Sequence, residues 1–221
     1  LNFAVFSNGT KVKSIAQKVG DKDFGTVKVE LSKGKSFQVV IIAHSGASSA
    51  TITSPEKISF DGKVTDTFYA YQEITVHEPK DYSVELKRAV AMFRLVVEDD
   101  APDQIKKLQF KYTGGSSTFN AVTGHGCVNS KQTEERTVSQ QGKTFEIYTF
   151  PHEDTDVLKI TVNAMDPADN ILFTRTFEDV DVKRNMITQY SGMFYGEIVN
   201  PEANSFKFLV DSHWEEKDMR Y

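Results

Sequence analysis

The sequence predicts an all-β protein built from antiparallel sandwiches, and three observations carry that expectation. Apolar residues recur with a period of two along nearly the whole chain. Turn-forming residues separate the alternating segments at roughly 8 to 12 residue intervals, the rhythm of a sandwich. No amphipathic helical pattern is interposed between them, which argues against a parallel α/β sheet.

The first segment, Leu1 to Phe6, is followed by Asn8-Gly9 and then by Lys11 onward. Asn-Gly supplies the two positive φ angles of a type I′ turn, so this is a hairpin. Thr26 to Leu31 alternates, with Val27, Val29 and Leu31 on one face and Thr26, Lys28 and Glu30 on the other. Ser32-Lys33-Gly34-Lys35 reads as a turn into Phe37 to Ala43, which is apolar on both faces and therefore central. These two segments are expected to pair as a second hairpin. Short strands follow at Thr67 to Gln72, Glu73 to Val76 and Tyr82 to Leu86. The most apolar face of the chain comes next, formed by Ala89, Ala91, Phe93, Leu95 and Val97, with Arg94 interrupting the opposite side. Further strands fit Lys107 to Tyr112, Thr144 to Phe150, Val157 to Ala164, Ile171 to Phe177, Thr188 to Phe194 and Phe206 to Trp214. Only Pro102 to Lys106 and Asp181 to Met186 suit a helical turn.

A polar break at Glu78-Pro79-Lys80-Asp81 predicts two domains, 1–82 and 83–221, the second with a long polar insert near 113–142 that reads as a loop. The chain of 221 residues is long enough for this, since folding at that size removes about 70% of the unfolded chain's accessible surface. Apolar residues make up 39%, including 16 Phe and 8 Tyr, which excludes a disordered chain. A net charge of −5 and a pI near 5.6 argue against a nucleic-acid partner. The longest apolar run, Val39 to Ala43, is far short of the roughly 20 residues that span a bilayer. The chain opens without the basic start and small-residue cleavage site of a secretory signal, so it is either cytosolic or has lost its export segment. A single cysteine, Cys127, excludes a disulfide-stapled scaffold.

Residues with chemical potential are few. His125 and Cys127 form the one close Cys/His pair, and a hydrolase would require them to converge with an acid in a pocket. Three acidic clusters occur: Glu98-Asp99-Asp100 with Asp103, Glu153-Asp154 with Asp156, and Glu178-Asp179 with Asp181. None has the Asp-x-Asp-x-Asp-Gly spacing with a distal Glu that holds calcium, so they read as solvated turns guarding strand edges. His152 and His213 have no partner at zinc-ligand spacing. Tyr69, Tyr71 and Trp214 could form a platform for a sugar ring, although packing in or between the sandwiches accounts for them better. No metal, cofactor or catalytic centre is expected.

Two blocks resemble the fimbrillins of Bacteroides-group bacteria. The first runs from Thr67-Phe68-Tyr69-Ala70-Tyr71-Gln72-Glu73-Ile74-Thr75-Val76 to Ser83-Val84-Glu85-Leu86-Lys87-Arg88-Ala89-Val90-Ala91-Met92-Phe93-Arg94-Leu95, an aromatic strand leading to a leucine, basic pair and Ala-Val-Ala strand. The second is Val182-Lys183-Arg184-Asn185-Met186-Ile187-Thr188 with Gly192-Met193-Phe194, followed by a closing strand to Trp214. The resemblance implies two tandem transthyretin-like (immunoglobulin-like) β-sandwich domains in a non-enzymatic adhesion or fimbrium-assembly subunit at the cell surface. Its partners would be other fimbrial subunits or a surface receptor. The membrane would be reached only through a lipid anchor on a missing N-terminal leader. Assembly would proceed by strand complementation, with Phe206, Phe208, Val210 and Trp214 in a candidate donor or closing strand. The lack of a clear maturation site before a displaceable first strand and the short stretch after Trp214 count against a polymerising stalk and leave anchor, tip and stand-alone adhesin open. A carbohydrate-binding surface module of a glycan-uptake system is the alternative reading.

Overall fold

A computed structural model describes residues 1–139 and 142–196, and the backbone alone of residues 207–211. In chain order the strands are β1 (Asn2–Ser7), β2 (Thr10–Ala16), β3 (Ser36–His44), β4 (Thr51–Ser54), β5 (Lys57–Ser59), β6 (Thr67–Thr75), β7 (Lys87–Arg88), β8 (Ala91–Val97), β9 (Lys107–Thr113), β10 (Thr118–Asn120), β11 (His125–Gly126), β12 (Gln132–Thr137), β13 (Thr144–Thr149), β14 (Thr155–Met165), β15 (Ile171–Lys183), β16 (Ile187–Gly192) and β17 (Lys207–Asp211). They build four sheets, β2-β1-β3-β6-β7, β11-β10-β5-β4, β12-β9-β14-β15 and β13-β8-β16-β17. The first two enclose one core and the last two another, giving tandem β-sandwiches.

The strongest local signals form as expected. Asn8 and Gly9 take φ of 49° and 75°, and β1 and β2 pair across them. Ala91, Phe93, Leu95 and Val97 are all buried, because alternation along β8 turns one face to the second core. Arg94 on the opposite face donates to Glu146 of the neighbouring β13 at 2.8 Å. Val90 and Met92 belong instead to the first core, and so does Ala89, which precedes β8 and departs from the face expected of it. Alternate residues of one segment thus serve both sandwiches and make their junction apolar.

Four expectations are corrected, of which the simplest is the short strand expected at Tyr82 to Leu86: that segment joins no ladder. Residues 26–31 form no ladder, so the expected hairpin with 37–43 is absent. β3 pairs with β1 and β6. Val27, Val29 and Leu31 nevertheless pack on Phe3, Val5, Phe37 and Val39, so the segment lies as an extended strap over the outer face of its sheet. Neither 102–106 nor 181–186 is helical: the first closes a turn through Ile105 N–H to Pro102 O at 2.9 Å, and the second continues β15 into a turn. The polar insert is not a loop, since residues 118–126 supply β10 and β11 to the sheet of β4 and β5, and β12 pairs along β9. Its anchor is Phe119, fully buried between Tyr69 at 4.8 Å and Phe150 at 5.0 Å.

Candidate functional site

The residues that carry the family resemblance meet at the junction of the sandwiches. Arg88 donates from Nε and Nη2 to the Asp66 carboxylate at 2.8 and 3.1 Å, and from Nη1 to Asn185 Oδ1 at 3.1 Å. Its guanidinium lies 4.5 Å from the Phe68 ring centroid. Asn185, at φ 60°, donates its N–H to Val90 O. Arg184 donates to Asp154 at 2.6 Å, to Gly124 O at 3.0 Å and to the Tyr69 hydroxyl at 3.3 Å. Gly124 at φ +78° has no room for a Cβ beside that hydroxyl, which fixes glycine at the contact. Basic pair, Arg-Asn turn and polar insert therefore lock one sandwich against the other. They explain the motifs without assigning them chemistry.

The sequence-flagged chemical residues are similarly occupied. His125 Nε2 lies 3.3 Å from Asp154 Oδ1, and that contact, ahead of the Arg184 charge, holds the Asp154 carboxyl below its ordinary range. Cys127 is exposed, and partial desolvation pushes its thiol up, against the activation a nucleophile needs. His152 contacts Asp156 at 2.7 Å and Val128 O at 3.1 Å. Glu178 pairs with Lys159, and Asp100 with Lys143. Among the described residues, no three His, Cys, Asp or Glu side chains gather to hold a metal ion. Tyr69 lies in an edge contact with Phe119, the Tyr71 hydroxyl is bonded to Gln38 and Glu73, and both rings are partly buried against the first core.

The remaining candidate is the closing strand. β17 pairs antiparallel with β16, with Phe208 opposite Tyr190 and Val210 opposite Thr188. β16 in turn runs parallel to β8. β17 is the last strand of its sheet, so one ladder holds it and its other edge is unpaired among the described residues. Phe206 and Trp214, the other two residues expected in the donor strand, lie outside the described residues.

Sequence reasoning missed how firmly the chain is held just before this strand. The Asp99 carboxylate accepts the N–H groups of Phe194, Tyr195 and Gly196 at 2.6, 2.7 and 2.9 Å. Arg175 donates to Phe194 O at 2.6 Å and Gly196 O at 3.1 Å. Phe194 and Tyr195 are buried in the second core. Burial, and secondarily the Asp99 charge, pushes the Tyr195 hydroxyl up to about 12. In sequence Asp99 looks like one of several solvated carboxylates. Its partners are 95 to 97 residues away, and no local pattern marks them.

The chain belongs to DUF6562, a protein family of unknown function whose model matches residues 48–218. No curated protein matches the sequence. Among solved structures, the chain is similar to a candidate adhesin from Bacteroides ovatus at 12% identity and a TM-score of 0.53, covering 80% of this chain and 76% of that one. A fimbrial assembly protein from Parabacteroides distasonis matches at 13% identity and 0.45, covering 94% and 90%. The fimbrial anchor protein Mfa2 from Porphyromonas gingivalis matches at 9% identity and 0.44, covering 96% and 88%. At 12% identity the likeness to the B. ovatus protein is one of fold.

Proposed function

We propose that this chain is a non-enzymatic subunit of cell-surface adhesion or fimbrium assembly, and that β17 is a strand it can exchange with a partner subunit. The observation that carries the reading is the position of β17: a closing strand at a sheet edge, held among the described residues by a single ladder. The fold it shares with the B. ovatus candidate adhesin supports the same reading. Strand addition draws its affinity from main-chain hydrogen bonds and its register from alternate side chains. Phe206, Phe208, Val210 and Trp214 are the side chains proposed to set that register. The clamp at residues 194–196 would let β17 leave its own sheet while the core behind it stays intact. An N-terminal lipid would hold the protein at the cell surface. The ladder-free segment 77–86 is proposed as the boundary of the two chain halves, near residue 82.

The test uses a peptide of residues 205 to 216. Protein truncated after Asn204 should bind it and recover stability, whether the strand is a donor or merely closes its own sandwich. A donor strand should in addition support incorporation of the intact protein into surface fibres, and truncation should abolish it. Undiminished incorporation of the truncated protein would refute the proposal.

A further inference from the structure

Charge is divided unevenly along the chain. Residues 1–63 carry nine lysines against five carboxylates, whereas the rest carries 17 lysines and arginines against 26 carboxylates. The positive excess is concentrated in one stretch of the first sandwich, beside a groove that Glu78, Asp81 and Glu85 also line. Residues 10–35, which comprise the edge strand β2 and the strap over the outer face of its sheet, hold seven lysines and three carboxylates. All seven lysines are exposed, and among the described residues none is in an ion pair, although Lys11 donates to Ile52 O of the other sheet at 2.7 Å. The second sandwich differs, because Lys107, Lys143 and Lys159 are each held by carboxylates there.

The tip of this basic side is built rather than loose. Gln17 Nε2 donates to Asp23 O at 3.0 Å and to Thr26 O at 2.9 Å, and its Oε1 accepts from Gly25 N at 3.0 Å. Asp21 accepts the Lys18 N–H at 2.7 Å, and Gly20 and Gly25 take φ of 98° and 84°. One amide side chain thus organises the whole turn. The result holds Val19 out at 86% exposure between Lys18 and Lys22. An apolar side chain presented this way, flanked in sequence by Lys18 and Lys22, neither of them in an ion pair among the described residues, matches a surface with phosphates outside and hydrocarbon beneath.

We propose that this side of the first sandwich docks on an anionic lipid surface, with Val19 at the headgroup boundary and Lys13, Lys18, Lys22 and Lys28 against the phosphates. The inference rests on the cell-surface reading of the protein but not on strand exchange. An anionic surface repels the acidic second sandwich and attracts the basic side, so the field both binds the protein and turns the second sandwich outward. A second copy of the chain is a poorer partner, because its exposed Asp100, Asp169 and Glu178 are already neutralised by lysines of their own sandwich.

The experiment is co-sedimentation of the full chain with vesicles of phosphatidylcholine alone or mixed with phosphatidylglycerol, at low and high salt. Binding is expected only to the mixed vesicles, weakening as salt rises. Lys18→Gln with Lys22→Gln should lower the partition coefficient about 30-fold, taking each lysine at its usual worth near an anionic surface. Val19→Asp should weaken binding as well, while Lys111→Gln with Lys131→Gln on the second sandwich should leave it unchanged. These exposed substitutions should not move the urea midpoint, which keeps loss of binding separate from loss of fold. No binding to mixed vesicles at low salt overturns the proposal, as does equal binding to neutral ones. Self-association in vesicle-free solution that the Lys18/Lys22 variant abolishes would overturn it in favour of a second copy. Assembly defects in β17 variants leave this outcome untouched, so the two readings fail separately.

Discussion

Replacing Phe119 by Ala tests whether the polar insert is part of the first sandwich. Phe119 is fully buried, its ring centroid 4.8 Å from Tyr69 and 5.0 Å from Phe150, and it shares a core with Phe6, Ile42 and Ile58. Truncating such a side chain removes its burial and leaves a cavity, which costs about 3 to 5 kcal/mol. Its two aromatic neighbours are held in β6 and beside β13, so the site can collapse little and the upper half of that range applies. In a chain of this length about 4 kcal/mol lowers the melting temperature by about 10 °C. Urea unfolding should show the loss as a lower midpoint at unchanged m-value. Val122→Ala, two residues beyond the short strand β10 and exposed, is the matched control and should stay within about 0.5 kcal/mol. If Phe119→Ala behaves like the control, residues 118–126 do not belong to the first core and β10 does not pair with β5.

Other outcomes follow from the same packing. Phe93→Ala, in the middle of the buried face of β8 and against Phe177 and Tyr190, should cost about 3 to 5 kcal/mol, read by the same urea titration. Limited proteolysis should cut first in residues 77–83, which are exposed and outside any ladder, and should spare 116–127; early cuts within β8 would refute the proposed boundary. Burial first, then nearby carboxylates, pushes the Tyr148 and Tyr195 hydroxyls up to about 12. A tyrosine in the unfolded chain ionises near 10, so the unfolded state loses its protons first as pH rises. Stability should therefore be fully present below pH 10 and fall between about pH 10 and 12, and Tyr195→Phe should flatten that decline. An unchanged slope would contradict the burial of Tyr195.

What the sequence disclosed and what it hid separate along one physical line. A period of two reports that a chain is extended with one side buried, and it identified β8, β9 and β14 correctly because burial there coincides with pairing. At residues 26–31 the same signal is present and burial is real, yet the backbone forms no ladder. Alternation measures where side chains go, not where N–H groups go. The polar insert was opaque for a complementary reason. Its composition is that of a loop, and a single phenylalanine in a three-residue strand pins it to partners some 60 residues earlier. Asp99 and Arg175 look like ordinary surface charges until the fold brings residues 194–196 between them. The fimbrillin-like motifs were legible as motifs, and the structure gives their reason: Arg88, Arg184 and Asn185 are the bolts of the junction.

The most direct test of strand exchange is to lock β17 in place. Gln189 and Leu209 are register partners on β16 and β17, so Gln189→Cys with Leu209→Cys, in a background where Cys127 is replaced by serine, places two cysteines across that single ladder. Oxidised protein should remain a folded monomer that cannot enter surface fibres or exchange strands with a partner, and reduction should restore both. If the oxidised protein assembles as well as the reduced one, β17 does not leave its own sheet and strand exchange is not how this subunit works.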